Sequence, residues 1–300
     1  KVLNDLKAHA VRPTTNSVDA LRAYEAGVAL ERDGKDLDAQ QQFQTATTAD
    51  PNFALAFAKL ADAYSSLGHD DLAQTASRRA LELSDNLPPQ ARYLIQADNA
   101  RINHNTQKAI DAYQQLAAAD PSDTDAQFAL AGLYEQQGNY KAAEQKLAAV
   151  LANDPKNVEA LLASGRVAIL SGDAQGGLDV LSRALPLATE LDNQEEKAAI
   201  LQATGIAYAS MNRLDDALRN YQESLAIKKA KGDQRGEAAS LEQIADIQDK
   251  QGKPDDALTT YKGALALRRE IRDQAGIANS LIDMGSFYHD HAKPSDALTN

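Results

Sequence analysis

Small, apolar and polar positions along this chain recur in a fixed order. A small residue between a Leu-like and a Tyr-like position falls at Gly27, Ala61, Ala97, Ala131, Gly165, Gly205, Ala245 and Gly285, in steps of 34, 36, 34, 34, 40, 40 and 40. A second small residue follows at Ala39, Ala73, Ala109, Ala143, Gly177, Ala217, Ala257 and Ala297, with identical steps. Four residues after the second series stands Phe43, Tyr113, Leu147, Leu181, Tyr221 or Tyr261. Three further on comes Ala46, Leu116, Val150, Ala184, Ser224 or Ala264. An i, i+4, i+7 spacing places these side chains on one helix face.

Between the two series lies a turn, often with glycine: Gly34, Gly68, Gly138, Gly172 and Gly252. Glycine there suits a left-handed helix end. Asp-Pro closes units at 50–51, 120–121 and 154–155, and proline stops a helix. Asp-Asp pairs at 70–71, 215–216 and 255–256 open the second helix, where they meet the positive end of its dipole. The predicted unit is therefore a helix–turn–helix hairpin. One hairpin cannot bury its apolar face alone, so it must stack on copies of itself. The small residues belong where two helices come closest, since a larger side chain there overpacks at about 1–3 kcal/mol.

The segment "DAQFALAGLYEQQGNYKAAEQKLAAVLANDP" (125–155) resembles the tetratricopeptide repeat. Ala131, Tyr134, Gly138, Ala143, Leu147, Val150 and Pro155 stand at the signature positions. The resemblance covers residues 20–300 and implies an all-α, right-handed superhelical solenoid of about eight repeats, the last incomplete. The change of period divides it into residues 20–157 and 158–300, after a linker or preceding helix at 1–19. The 40-residue form is similar to the variant found in kinesin light chains. The third unit departs from the pattern: His104 and Asn105 stand where glycine is expected, and two extra residues, with Pro88-Pro89, precede it. A local irregularity is expected there.

The run "HAVRPTTNSVDALRAYEAGVAL" and the two segments that follow resemble the repeat-bearing tail of bacterial Hanks-type serine/threonine kinases and related signalling proteins. No Gly-rich loop, His-Arg-Asp or Asp-Phe-Gly motif is present, so that resemblance concerns only a parent protein. The chain opens at Lys1 and closes in mid-motif at "DALTN", and it reads as a segment of a longer protein. An incomplete last repeat would leave apolar residues such as Leu281 and Met284 without cover, which implies fraying or self-association.

Composition narrows the functions further. No cysteine is present, which excludes disulfides and thiolate zinc sites. A net charge of −12, with only the short runs "IKKAK" and "LRREIR", argues against nucleic acid as a partner. No apolar run approaches the roughly 18 residues of a membrane span. His289 and His291 are two apart, so on a helix they point about 200° from each other and cannot share a metal ion. Gly176-Gly177 lacks the Lys-Ser/Thr of a phosphate loop, and no Gly-x-Ser-x-Gly occurs. No enzyme, cofactor or metal is expected. Nothing in the sequence fixes the compartment.

The resemblance implies that the first helices line an inner groove that binds an extended peptide or a helix. Transferred onto this sequence, the groove positions are Lys59 and Asp62; Leu94, Ile95 and Asp98; Phe128; Leu162, Arg166 and Ile169; Glu242, Asp246 and Asp249; and Asp283 and Asp290. Apolar residues fall in the middle units and acids in the last two. The expected partner is a protein or peptide with apolar anchors beside Lys or Arg. The carboxylate clamp of chaperone-binding relatives maps onto Tyr24, Val28, Lys59, Ala91 and Ile95, where a single cation remains, so acidic C-termini are not expected.

Overall fold

The computed structural model describes residues 15–32 and 35–291. The residues before 15, residues 33–34 with Gly34, and residues 292–300, where the sequence predicts the second helix of the eighth repeat with Ala297, lie outside the described residues. Among the described residues every regular element is an α-helix, and there are fifteen. They are α1 (Val18–Arg32), α2 (Asp36–Ala49), α3 (Ala54–Ser66), α4 (Asp70–Glu82), α5 (Pro89–Ile102), α6 (Thr106–Ala119), α7 (Thr124–Gln136) and α8 (Tyr140–Asn153). The later ones are α9 (Val158–Leu170), α10 (Ala174–Glu190), α11 (Gln194–Ser210), α12 (Leu214–Lys231), α13 (Gln234–Lys250), α14 (Pro254–Glu270) and α15 (Gln274–Asp290). Contacts divide the chain into two units, residues 1–139 and 140–300.

Among the described residues, the three-residue turns after α3, α5, α7, α9, α11 and α13 each have a left-handed middle residue. Gly68, Gly138, Gly172 and Gly252 have φ of 75°, 70°, 96° and 74°. His104 (54°) and Asn212 (58°) hold the same place without being glycine. The irregular third repeat thus keeps its turn and differs in its approach: six residues, Leu83–Pro88, join α4 to α5, with Pro89 at the first turn of the new helix. From α10 on the helices run to 17 or 18 residues, against 13 to 15 before. The 40-residue period therefore lengthens both helices of the hairpin by about one turn.

Four glycines of the two small-residue series sit at close approaches, whereas Gly285 faces open space. A Cβ at Gly27 would lie 2.5 Å from the ring of Phe43, at Gly205 2.5 Å from that of Tyr221, and at Gly165 2.6 Å from Leu181. Gly177 backs onto the Gly165 carbonyl, which a Cβ would approach to 2.8 Å. The predicted apolar face is the core: Phe43, Ala46, Leu116, Leu147, Val150, Leu181, Ala184, Tyr221 and Ala264 are all buried. Ser224, a polar member of that series, is satisfied by donating to the Ala198 carbonyl at 2.8 Å.

Helix ends follow the sequence signals. Asp50, Asp120 and Asp154 stop the helices before them, and each accepts the backbone N–H two residues on at 3.0 Å. Asp173, Asn193, Asp233 and Asp273 cap the long helices by accepting from the third residue beyond. The Asp-Asp pairs occupy the first turns of α4, α12 and α14.

Candidate functional site

In the first unit, α1, α3 and α5 carry a chain of charges across their shared face. Lys59 donates to Glu31 at 2.8 Å, and both are one-third exposed. On the next turn of α3, Asp62 is bonded by Arg101 of α5, which also lies 4.0 Å from Asp98. Tyr113, from the second helix α6, donates to Asp98 at 3.2 Å. One guanidinium thus serves two carboxylates. Burial pushes the Asp98 carboxyl up to about 7; Asp62 adds to this, and Arg101, Lys59 and the Tyr113 hydrogen bond oppose it.

The apolar groove positions of this unit are less accessible than expected. Ile95 is 1% exposed and belongs to the core with Phe53 and Leu55, so it offers nothing to a ligand. Leu94 is half-buried against the cluster of Leu116 and Leu130, and Phe128 is half-buried on α7.

In the second unit, Leu162 and Ile169 of α9 pack half-buried against Leu161, Leu181 and Ile200. Arg166 and Leu170 are exposed on the same helix, and Ile206 of α11 is exposed one repeat on from Arg166. The acids follow on α13 and α15. Glu242 is held by Arg268 of α14 through two bonds of 2.9 and 2.7 Å, and it also accepts from Ser280. Arg268 further binds Asp273 at 2.6 Å, and all three charged side chains are nearly buried. Glu242 is therefore neutralised within the fold, which corrects its expected place among acids open to a cationic ligand. Asp249 meets the His291 ring at 2.7 Å. Asp246 accepts from Tyr261, while Asp283 and Asp290 are exposed. Burial raises the Asp246 carboxyl despite that bond. Burial, Asp246 and Glu242 together raise Asp283.

The sequence reading missed Arg268, Tyr261, Tyr113 and Glu31. The first three lie on second helices, which the groove mapping did not consult. Their signal lay in the period: Lys228 stands 40 residues before Arg268, and donates from α12 to Gln202 of α11 at 2.6 Å and Ser240 of α13 at 3.0 Å. One repeat earlier the corresponding positions are Leu162, Ala188 and Ile200, which share one apolar cluster. The same three-helix junction is thus apolar, then polar, then ionic along the second unit. Among the described residues, no group of three or more His, Asp or Glu is placed to hold a metal ion. No described helix is long and apolar enough to cross a membrane.

Four sequence models of the tetratricopeptide repeat match residues 54–87, 96–158, 158–230 and 240–275, together more than half of the chain. The chain belongs to the tetratricopeptide-repeat family, a class of helical protein-interaction scaffolds. It is 29% identical over 203 residues to cellulose synthase 1 operon protein C of Komagataeibacter xylinus; the match covers 67% of this chain and 13% of that protein. Among solved structures, a tetratricopeptide repeat protein from Parabacteroides merdae superposes with a TM-score of 0.60 at 16% identity, covering 88% of this chain and 99% of that one. The Cut9-Hcn1 hetero-tetramer of the APC/C gives 0.64 at 20% identity, covering 85% of this chain and 48% of that one.

Proposed function

We propose that the protein is a non-catalytic scaffold whose first-helix face binds an extended peptide or a helix with apolar anchors beside Lys or Arg. The observation that carries this reading is the charge state of the second unit's face. Asp246 and Asp283 are each raised by burial and by neighbouring carboxylates. Arg268 is already committed to Glu242 and Asp273. A basic side chain laid over Asp246 and Asp283 relieves that repulsion and speeds encounter at low salt. Leu162, Ile169, Leu170 and Ile206 on the neighbouring first helices supply the apolar anchorage. Asp249 and Asp290 extend the acidic end.

The test is binding to a peptide array at low and physiological salt, followed by titration of the best basic peptide. Asp246→Asn with Asp283→Asn should weaken it by about tenfold. A preference for acidic peptides, or unchanged affinity in the double variant, overturns the reading.

A further inference from the structure

The irregular third repeat opens a crevice that the first-helix face does not include. It has a volume of about 270 Å³ and lies among the second helix α4, the C-terminal turn of α5 and the start of α6. Its polar lining is Gln74, Arg78, Asn99, Asn103, Asn105 and Lys108, and its floor is Leu81 and Ala100. None of these residues is acidic. In a chain of net charge −12, a crevice with two cations, four amides and no carboxylate departs from the rest of the surface.

The two cations are uncommitted. Neither the Arg78 guanidinium nor the Lys108 ammonium forms an ion pair among the described residues, and both residues are exposed. The nearest acids in sequence are engaged elsewhere: Glu82 takes Arg79 at 3.2 Å, and Asp111 takes Gln107 at 2.8 Å. The amides are oriented. Asn105 accepts the Lys108 backbone N–H through its carbonyl oxygen, which leaves its NH₂ group for another acceptor. Asn103 and Asn99 are fixed by donating to the Asn99 carbonyl at 2.7 Å and to Ser77 at 2.6 Å. The extra residues before α5 and the Asn-His-Asn turn at 103–105 are the departures that set this repeat apart, and two of the three turn residues line the crevice.

We propose that this crevice binds a phosphate group. Two cations lining one crevice match a dianion, and a guanidinium offers paired N–H donors to tetrahedral oxygens. At about 270 Å³ the crevice has room for a phosphate and part of whatever carries it. This site is independent of the first-helix face and of any peptide bound there.

The test uses the intact chain and nuclear magnetic resonance of the Arg78, Asn105 and Gln74 side-chain N–H groups. Inorganic phosphate and N-acetyl-phosphoserine amide are titrated in turn, against sodium chloride at matched ionic strength and sodium acetate as a monoanion. Saturable shifts with phosphate, weaker with acetate and absent with chloride, are expected. Tighter binding of the phosphoserine amide assigns the site to a phosphorylated side chain, and tighter binding of inorganic phosphate to the free ion. Arg78→Gln with Lys108→Gln, both at exposed positions, should weaken binding by about tenfold or more while the helical circular dichroism is unchanged. Shifts equal to those with chloride, or unaltered binding in the double variant, overturn the proposal.

Discussion

The Tyr113 hydroxyl donates to the Asp98 carboxylate, from the second helix of a hairpin to the first, across 15 residues of sequence. Tyr261 and Asp246 repeat this bond, at the same separation, in the other unit. Both acids follow directly on the small residue of the first helix, Ala97 or Ala245. The bond therefore anchors a carboxylate of the exposed face to a side chain rooted in the core, which limits its motion and its hydration together.

That anchoring gives a pH dependence with a definite sign. The Asp98 carboxyl is held at about 7, above its unfolded value near 3.8. It contributes stability that is fully present below the unfolded value and is lost as pH rises through 7. Three units correspond to at most about 4 kcal/mol, and relaxation of the half-exposed Arg101 reduces this. Urea titrations at pH 5 and pH 8 should show the loss in the wild type and much less in Asp98→Asn. Equal pH dependence in both would remove the assignment.

Gly205→Ala should destabilise the second unit by about 1–3 kcal/mol despite the better helix propensity of alanine. The new methyl group meets the Tyr221 ring at 2.5–3.0 Å. Where the small residue is already alanine, at 97 and 245, the next residue is an aspartate that receives the tyrosine hydroxyl. At 206 it is isoleucine, which offers no acceptor. Adding Ile206→Asp to Gly205→Ala should therefore recover part of the loss. A double-mutant cycle in denaturant, with coupling below about 0.5 kcal/mol, would refute this.

Arg268→Ala leaves Glu242 nearly buried without its partner and should cost about 3–5 kcal/mol. Replacing the whole junction with its apolar counterpart, Glu242→Leu, Arg268→Ala and Ser280→Ile, should restore most of that, because Leu162, Ala188 and Ile200 pack this way two repeats earlier. Thermal unfolding of the single and triple variants checks the order. A triple variant less stable than Arg268→Ala would show that the two junctions are not equivalent.

Gly252→Ala should cost about 1–2 kcal/mol, since alanine must adopt a left-handed conformation at φ near 74°. The corresponding Asn212→Gly should change stability by less, because asparagine tolerates that conformation. Chemical denaturation of the two variants side by side is sufficient.

The fold was legible because its constraints are local and repeated. A glycine facing Tyr221, glycine in most of the turns and Asp-Pro after three of the early second helices state the hairpin directly in the sequence. The candidate face was legible only in outline. Position on a first helix told which side chains share a face, but not which are consumed by partners from the second helix. Ile95 falls in the core, where it joins the cluster of Phe53 and Leu55. Glu242 was misjudged because the cation that neutralises it lies 26 residues on, and only comparison with Gln202 and Lys228 one repeat earlier exposes the pair.

The graded junction of the second unit also fixes the order in which its repeats can be arranged. Lys228 donates to Ser240 from the helix that follows, whereas Glu242, held by Arg268, accepts from Ser280. If a 40-residue block carrying Gln202 and Lys228 were duplicated in place, the first copy's lysine would face the isoleucine of position 200 and lose an acceptor. Three junctions of equal shape thus carry three incompatible chemistries, and the array is addressed rather than merely periodic. Such an address discourages slippage by one repeat during folding and mispairing between neighbouring chains, at places where backbone geometry alone would accept either.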